Sequence, residues 1–228
     1  MNIQITNTLV LFYLISIKIY SQSNEDFQLI KYNTRDGGTI EGAYFKGGDD
    51  LVVIFAHGAV FNKESWYFLN RRLQRQKISS LSIDFRGYGN SKKGDSGNLS
   101  YDLLGAVDYL KGKGFSRIAM VGGSMGGTAV ITAIETKMDP TIKKVILLAP
   151  AGGNGIKSES IEKLFLVSEK EGMVTRVKQI YEQSSDPKKI ETFPGSAHAQ
   201  HMFKEEYVEE LTQTMIDFLI RPKDHKNN

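Results

Sequence analysis

The chain is predicted to be an α/β protein with a mostly parallel sheet, and three observations carry that prediction. Short apolar runs alternate with helical segments of about ten to fifteen residues, which is how βαβ units read in sequence. The run Leu51 to Ala56, LVVIFA, is apolar throughout, as a strand covered on both faces must be. A second apolar strand, Arg117 to Val121, runs straight into Gly122-Gly123-Ser124-Met125-Gly126 and then a small-residue helix.

Phe27 to Lys31 and Thr39 to Phe45 read as two strands joined by a turn at Asp36-Gly37-Gly38, an antiparallel edge to the sheet. After Leu51 to Ala56, residues Glu64 to Gln76 have helical character, and Ile78 to Asp84 forms the next strand. Leu99 to Lys111 carries Leu103, Leu104, Val107 and Leu110 near a 3.6-residue period. The helix Ser124 to Lys137 is closed by Pro140, which cannot continue it. Strands at Lys144 to Leu148, Leu164 to Val167 and Lys189 to Phe193 alternate with helices at Val174 to Glu182 and Glu205 to Ile220. No repeat or low-complexity linker interrupts this order, so residues 22–228 read as one domain.

A length of 228 residues is enough for one sizeable core, and 40% hydrophobic against 24% charged residues excludes a disordered chain. A net charge of +3 gives no reason to expect a nucleic-acid partner. The pairs Lys92-Lys93, Lys143-Lys144 and Lys188-Lys189 read as solvated surface. Leu9 to Ile19, LVLFYLISIKI, reads as the h-region of a secretory signal, residues 1–21, with cleavage near Ser21. It is short for a membrane span. The expectation is a periplasmic or secreted protein with no stable span after cleavage, the alternative being an anchor retained at the N-terminus. With no cysteine the chain has no disulfide and no thiol nucleophile.

Gly-x-Ser-x-Gly between a strand and a helix holds a serine on a sharp turn as a nucleophile. Gly122 and Gly126 leave room where neighbouring backbone must pass closely. Ser124 opens the helix, so the Met125 N–H is free to face a developing oxyanion. A serine needs a base, and the chain offers four histidines. His225 lies in the polar tail, His57 follows a buried strand, and His201 reads as a surface or helix-start residue. His198, in the loop between the last strand and the last helix, is the candidate base. The acid that orients it should follow a strand between Ser124 and His198. Glu171 is the first candidate there and Glu169 the second. In His57-Gly58-Ala59, the Ala59 N–H is the candidate second oxyanion donor, and His57 is expected to hold that loop. Asp84 is expected to bond the loop backbone from Arg86 to Gly89. Val60, Phe61 and Trp66, with Met125, are candidate pocket walls, and Trp66 reads equally as a core residue. No zinc-binding HExxH pattern or dinucleotide fingerprint is present, so no metal and no cofactor is expected.

These segments together resemble the α/β-hydrolase superfamily, from about Phe27 to Ile220. The resemblance rests on His57-Gly58, on Asp84-Phe85-Arg86-Gly87-Tyr88-Gly89-Asn90-Ser91, on the turn at Ser124, and on Gly195-Ser196-Ala197-His198. Glu171-Gly172-Met173-Val174 falls where the family usually has Asp-x-x-Val, with glutamate in place of aspartate. The resemblance implies a three-layer α/β-hydrolase fold and a Ser-His-acid triad acting on a small-molecule acyl substrate through an acyl-enzyme. Many relatives carry a helical lid before the acid strand, whereas here only the short loop Ala149 to Lys163 is available. That implies a shallow, open pocket, as in dienelactone hydrolase-like or serine aminopeptidase-like members. A small carboxylic ester is the expected substrate, with amide or peptide hydrolysis as the enzymatic alternative. A non-catalytic binding protein on the same fold would leave the triad side chains pointing apart.

Overall fold

The computed structural model describes residues 26–221. The apolar run over residues 9–19, the cleavage position near Ser21 and His225 lie outside the described residues. Strands β1 (Gln28–Asn33) and β2 (Thr39–Phe45) form an antiparallel hairpin. The parallel strands are β3 (Val52–Ala56), β4 (Ser79–Ile83), β5 (Ile118–Gly123), β6 (Ile142–Leu148), β7 (Glu162–Ser168) and β8 (Lys188–Phe193). The eight join one sheet in the order β1-β2-β4-β3-β5-β6-β7-β8, with β2 antiparallel to β4 and every later pairing parallel. The helices are α1 (Tyr67–Arg75), α2 (Ser100–Gly112), α3 (Met125–Thr136), α4 (Val174–Gln183) and α5 (Val208–Ile220).

The chain steps one way from β3 to β4, then returns to the other side of β3 with β5. Right-handed crossovers therefore put α1 and α3 on opposite faces of the sheet. α2 packs on α3, and α5 meets α1 through the Arg72–Glu209 pair, with Nη1–Oε1 at 2.6 Å. Covered on both faces, β3 buries all five side chains. The reversal of strand order at β3 opens a crevice at the carboxyl ends of β3 and β5, where ligands bind in sheets of this kind.

Several elements differ from their sequence readings for local reasons. β7 starts at Glu162, earlier than its apolar run suggests, because Glu162 and Lys163 are buried despite their charge. The helix expected from Glu64 begins instead as a 3-10 turn, Lys63–Trp66, capped by Asn62 Oδ1 accepting from Glu64 N–H at 3.0 Å. The last helix is likewise preceded by a 3-10 turn, Ala199–Lys204. The Lys143-Lys144 pair is not wholly surface. Lys144 is 2% exposed, and its ammonium donates to Phe218 O at 2.7 Å and Arg221 O at 2.6 Å, neutralising the carbonyl end of α5.

Lys163 is also buried. Its ammonium donates to Ser158 O at 2.6 Å and Ser185 O at 2.8 Å. Burial pushes its pKa down to about 8, partly offset by Asp186. The unfolded chain therefore binds one more proton between about pH 8 and its ordinary value of 10.5. Stability should rise with pH across that window, by up to about 3 kcal/mol. In Lys163→Met the rise should vanish. Urea unfolding of both proteins at pH 7.5 and 10 measures the difference, and parallel pH dependence in the two would sink the assignment.

Candidate active site

β5 ends in Gly122-Gly123 and α3 begins at Met125, so Ser124 must reverse the chain in a single residue. It does so at φ 49°, ψ −111°, a conformation costly for a residue with a side chain. Its neighbours hold it there. Ser124 N–H donates to Leu148 O at 2.9 Å, and Ser124 O accepts from Thr128 N–H at 3.1 Å and Ala151 N–H at 3.3 Å. A Cβ on Gly122 would lie 2.5 Å from Gly126 O, and one on Gly126 would lie 2.3 Å from Ala56 O. Both glycines are fixed by close backbone passage, and the second contact sets the start of α3 against the end of β3.

Ser124, His198 and Glu171 meet from the carboxyl ends of β5, β8 and β7. His198 Nε2 lies 2.8 Å from Ser124 Oγ, and His198 Nδ1 lies 2.7 Å from Glu171 Oε2. An ionised carboxylate only accepts, so Nδ1 carries the proton and Nε2 is left to accept from the serine hydroxyl. Glu171 is 4% exposed, and its Oε1 has no partner among the described residues. Glu169 is exposed and stands outside the cluster. The acid and histidine loops are stitched together by Lys170 N–H to Gly195 O at 2.9 Å and Ser168 Oγ to Ala197 O at 2.7 Å.

The loop after β3 is braced. His57 is buried, accepts from Phe85 N–H at Nε2 (3.1 Å) and donates from Nδ1 to Gly58 O (2.8 Å). Burial holds its pKa below the ordinary histidine value, so it stays neutral and structural near neutral pH. Ala59 O accepts from the Tyr88 hydroxyl at 2.9 Å, and the same hydroxyl lies 3.8 Å from Met125 Sδ. The N–H groups of Ala59 and Met125 have no partner among the described residues. Tyr88 thus ties together the two residues that carry free donors. Its motif was visible in sequence, but its reach to Ala59 was not. Gln200 was missed altogether. It is buried beside His198, accepts from Gly58 N–H at 2.6 Å and donates to Ser65 Oγ at 2.6 Å.

Two sequence expectations need correction. Asp84 does not bond the backbone from Arg86 to Gly89. Its carboxylate accepts from Lys63 N–H at 2.7 Å and Lys63 Nζ at 2.6 Å. Burial opposes the Lys63 ammonium, but Asp84 and Glu41 outweigh it and raise its pKa. Trp66 is not a pocket wall. It is fully buried, packed against Phe55 at 5.2 Å and Phe203 at 5.8 Å between ring centroids. Val60 projects from the loop tip at 79% exposure, and Phe61 rests on the His201 ring at 5.0 Å. The cleft adjoining the serine turn lies elsewhere. It holds about 430 Å³ and is lined by Leu99, Met125, Thr128, Ala129, Thr132 and Ala151 among others, none of them charged.

The sequence model of the Alpha/beta hydrolase family matches residues 53–217, most of the chain. The chain belongs to the α/β-hydrolase family. Among curated proteins it is similar to the Uncharacterized protein YfhR of Escherichia coli K12, 22% identical over 252 residues, covering 95% of this chain and 88% of that one. It is also similar to Protein phosphatase methylesterase 1 of Bos taurus, 22% identical over 153 residues, covering 64% of this chain and 40% of that one. Among solved structures, an esterase from Exiguobacterium antarcticum aligns at TM-score 0.71 and 14% identity, covering 85% of this chain and 100% of that one. At that identity the likeness speaks for the fold. No helix among the described residues is long and apolar enough to cross a membrane.

Proposed function

We propose that this α/β-hydrolase cleaves small, uncharged carboxylic esters through an acyl-enzyme on Ser124. The observation that carries the reading is the continuous chain from Ser124 Oγ to His198 to Glu171 at 2.8 and 2.7 Å. A binding protein on this fold has no need of such an alignment. Ser124 Oγ attacks the ester carbonyl and passes its proton to His198 Nε2. Glu171 stabilises the imidazolium. The Ala59 and Met125 N–H groups receive the oxyanion, an interaction worth roughly 3 kcal/mol per donor. His198 then protonates the departing alkoxide. Water, deprotonated by His198, attacks the acyl carbon and releases the acid and free Ser124. The uncharged cleft beside Met125 favours a neutral acyl or alcohol group over an anionic one. The apolar run over residues 9–19 supports action outside the cytoplasm, and the mass of the exported protein tests cleavage near Ser21.

A panel of p-nitrophenyl esters and aminoacyl amides tests the substrate class. Short-chain esters should turn over, and faster amide turnover would move the protein to the peptidase branch. Glu171→Gln should lower kcat by at least about 100-fold, since the amide no longer favours the imidazolium, whereas Glu169→Gln should stay within about twofold. The reverse pattern on the same ester would show that Glu169 is the acid.

A further inference from the structure

We infer that Gln200 is the positioning residue of the oxyanion loop, coupling it to the segment that carries the base; this rests on the hydrolase reading above. Gln200 follows His198 by two residues and is 3% exposed. Between them Ala199 sits at φ 48°, a left-handed turn that an alanine adopts only under constraint. That turn lets His198 reach Ser124 while Gln200 reaches the loop after β3.

The bonds form a directed relay. Gly58 N–H can only donate, so the amide oxygen must face it, and does at 2.6 Å. The amide nitrogen then donates to Ser65 Oγ at 2.6 Å, and Ser65 Oγ donates to Asn62 O at 2.6 Å. Both ends of the loop, Gly58 and the 3-10 turn at Ser65, are thereby tied to one side chain. The amide is also wedged in place. A Cβ on Gly123 would lie 2.9 Å from Gln200 Oε1, and one on Gly58 would lie 3.1 Å from it. Glycine at these two positions makes room for the amide between the serine turn and the oxyanion loop.

The other polar groups around Ala59 are accounted for. Gly58 O accepts from His57 Nδ1 and from Phe61 N–H at 3.0 Å, and Ala59 O accepts from Tyr88. Gln200 fixes the His57–Gly58 peptide plane, and His57 Nδ1 and Phe61 N–H fix the Gly58–Ala59 plane that follows it, so the Ala59 N–H is aimed before substrate arrives. Preorganised donors are effective because they need no rearrangement when charge develops. Base and oxyanion donor then move as one body. Gln200 does not touch the reacting atoms.

Gln200→Met keeps the side-chain length and removes both hydrogen bonds. We expect kcat on p-nitrophenyl acetate to fall about 10- to 100-fold with KM within about threefold. Inhibition by an alkyl boronic acid, which forms a tetrahedral anion on Ser124, should weaken by a similar factor. The pH midpoint of kcat/KM, which reports the base, should stay in place. Hydrogen exchange at the Gly58 amide should speed up, a readout independent of turnover. At the partly exposed end, Ser65→Ala should cost about 3- to 10-fold in kcat, and Ser65→Thr, which keeps the hydroxyl, should restore it. If Gln200→Met does not fold, the Ser65 pair decides the question. Gln200→Met with kcat and boronate affinity within twofold of wild type, beside an inert Ser124→Ala, would overturn this inference alone. Ser124→Ala turning over at the wild-type rate would overturn the hydrolase reading and this coupling with it.

Discussion

Ser124→Ala should lose ester turnover by roughly ten-thousand- to million-fold in kcat, while Ser124→Gly should be just as inactive and more stable than wild type. The activity loss follows from removing the hydroxyl that His198 Nε2 meets at 2.8 Å. The stability gain follows from the backbone. At φ 49°, ψ −111°, a side chain is strained and glycine is not, so relief of about 1–2 kcal/mol is expected. Alanine keeps the strained geometry and should gain little. Burst kinetics with p-nitrophenyl acetate and urea unfolding of the three proteins separate the two effects. Retained turnover in S124A, or S124G less stable than S124A, would contradict the geometry described above.

The largest stability effect should come from Arg86→Met, a loss of about 3–5 kcal/mol. The Arg86 side chain is 2% exposed, and it donates from Nε and Nη2 to Asp102 Oδ1 at 2.8 and 2.7 Å. It also donates from Nη1 to Asp36 Oδ2 at 2.6 Å and to Ser96 O. Asp102 is fully buried at the start of α2, and burial already raises its pKa against the pull of Arg86. Without the guanidinium, that carboxylate has lost its only cationic partner among the described residues. Arg86→Lys should recover little, because an ammonium cannot serve both carboxylates and a carbonyl from one planar fork. Asp102→Asn in the Met background should return part of the loss. Denaturant midpoints measure all three, and a loss below about 1 kcal/mol for Arg86→Met would show that solvent relieves Asp102.

What could be read from the chain divides along physical lines. Ser124, Glu171 and His198 could be proposed together because each follows a strand that a parallel sheet must end on the same side. Their residue types are also dictated by chemistry rather than packing. The fold was legible because fully buried strands such as β3 leave continuous apolar runs. The start of β7 was hidden because Glu162 and Lys163 are buried with partners far away in sequence. Lys144 looked like surface for the same reason, its partners being the last carbonyls of α5. Asp84 was paired to the wrong group because its partner Lys63 lies in an unremarkable polar stretch. Gln200 left no signal, since a polar residue entering a helical segment is what any exposed turn would show. Long-range polar pairs carry no periodicity, and only the assembled sheet reveals them.

Trp66 is the only tryptophan in the chain. It is sealed from water, and its neighbour Phe203 lies on the same 3-10 turn that follows His198 and contains Gln200. The protein therefore carries its own optical gauge of the segment that follows His198. While that segment is seated, the indole emits from an apolar surrounding. Any lifting of it would take Phe203 off the ring, let water reach the indole and move the emission to the red. A single fluorescence trace would thus report the seating of the segment after His198 without any label, substrate or added probe.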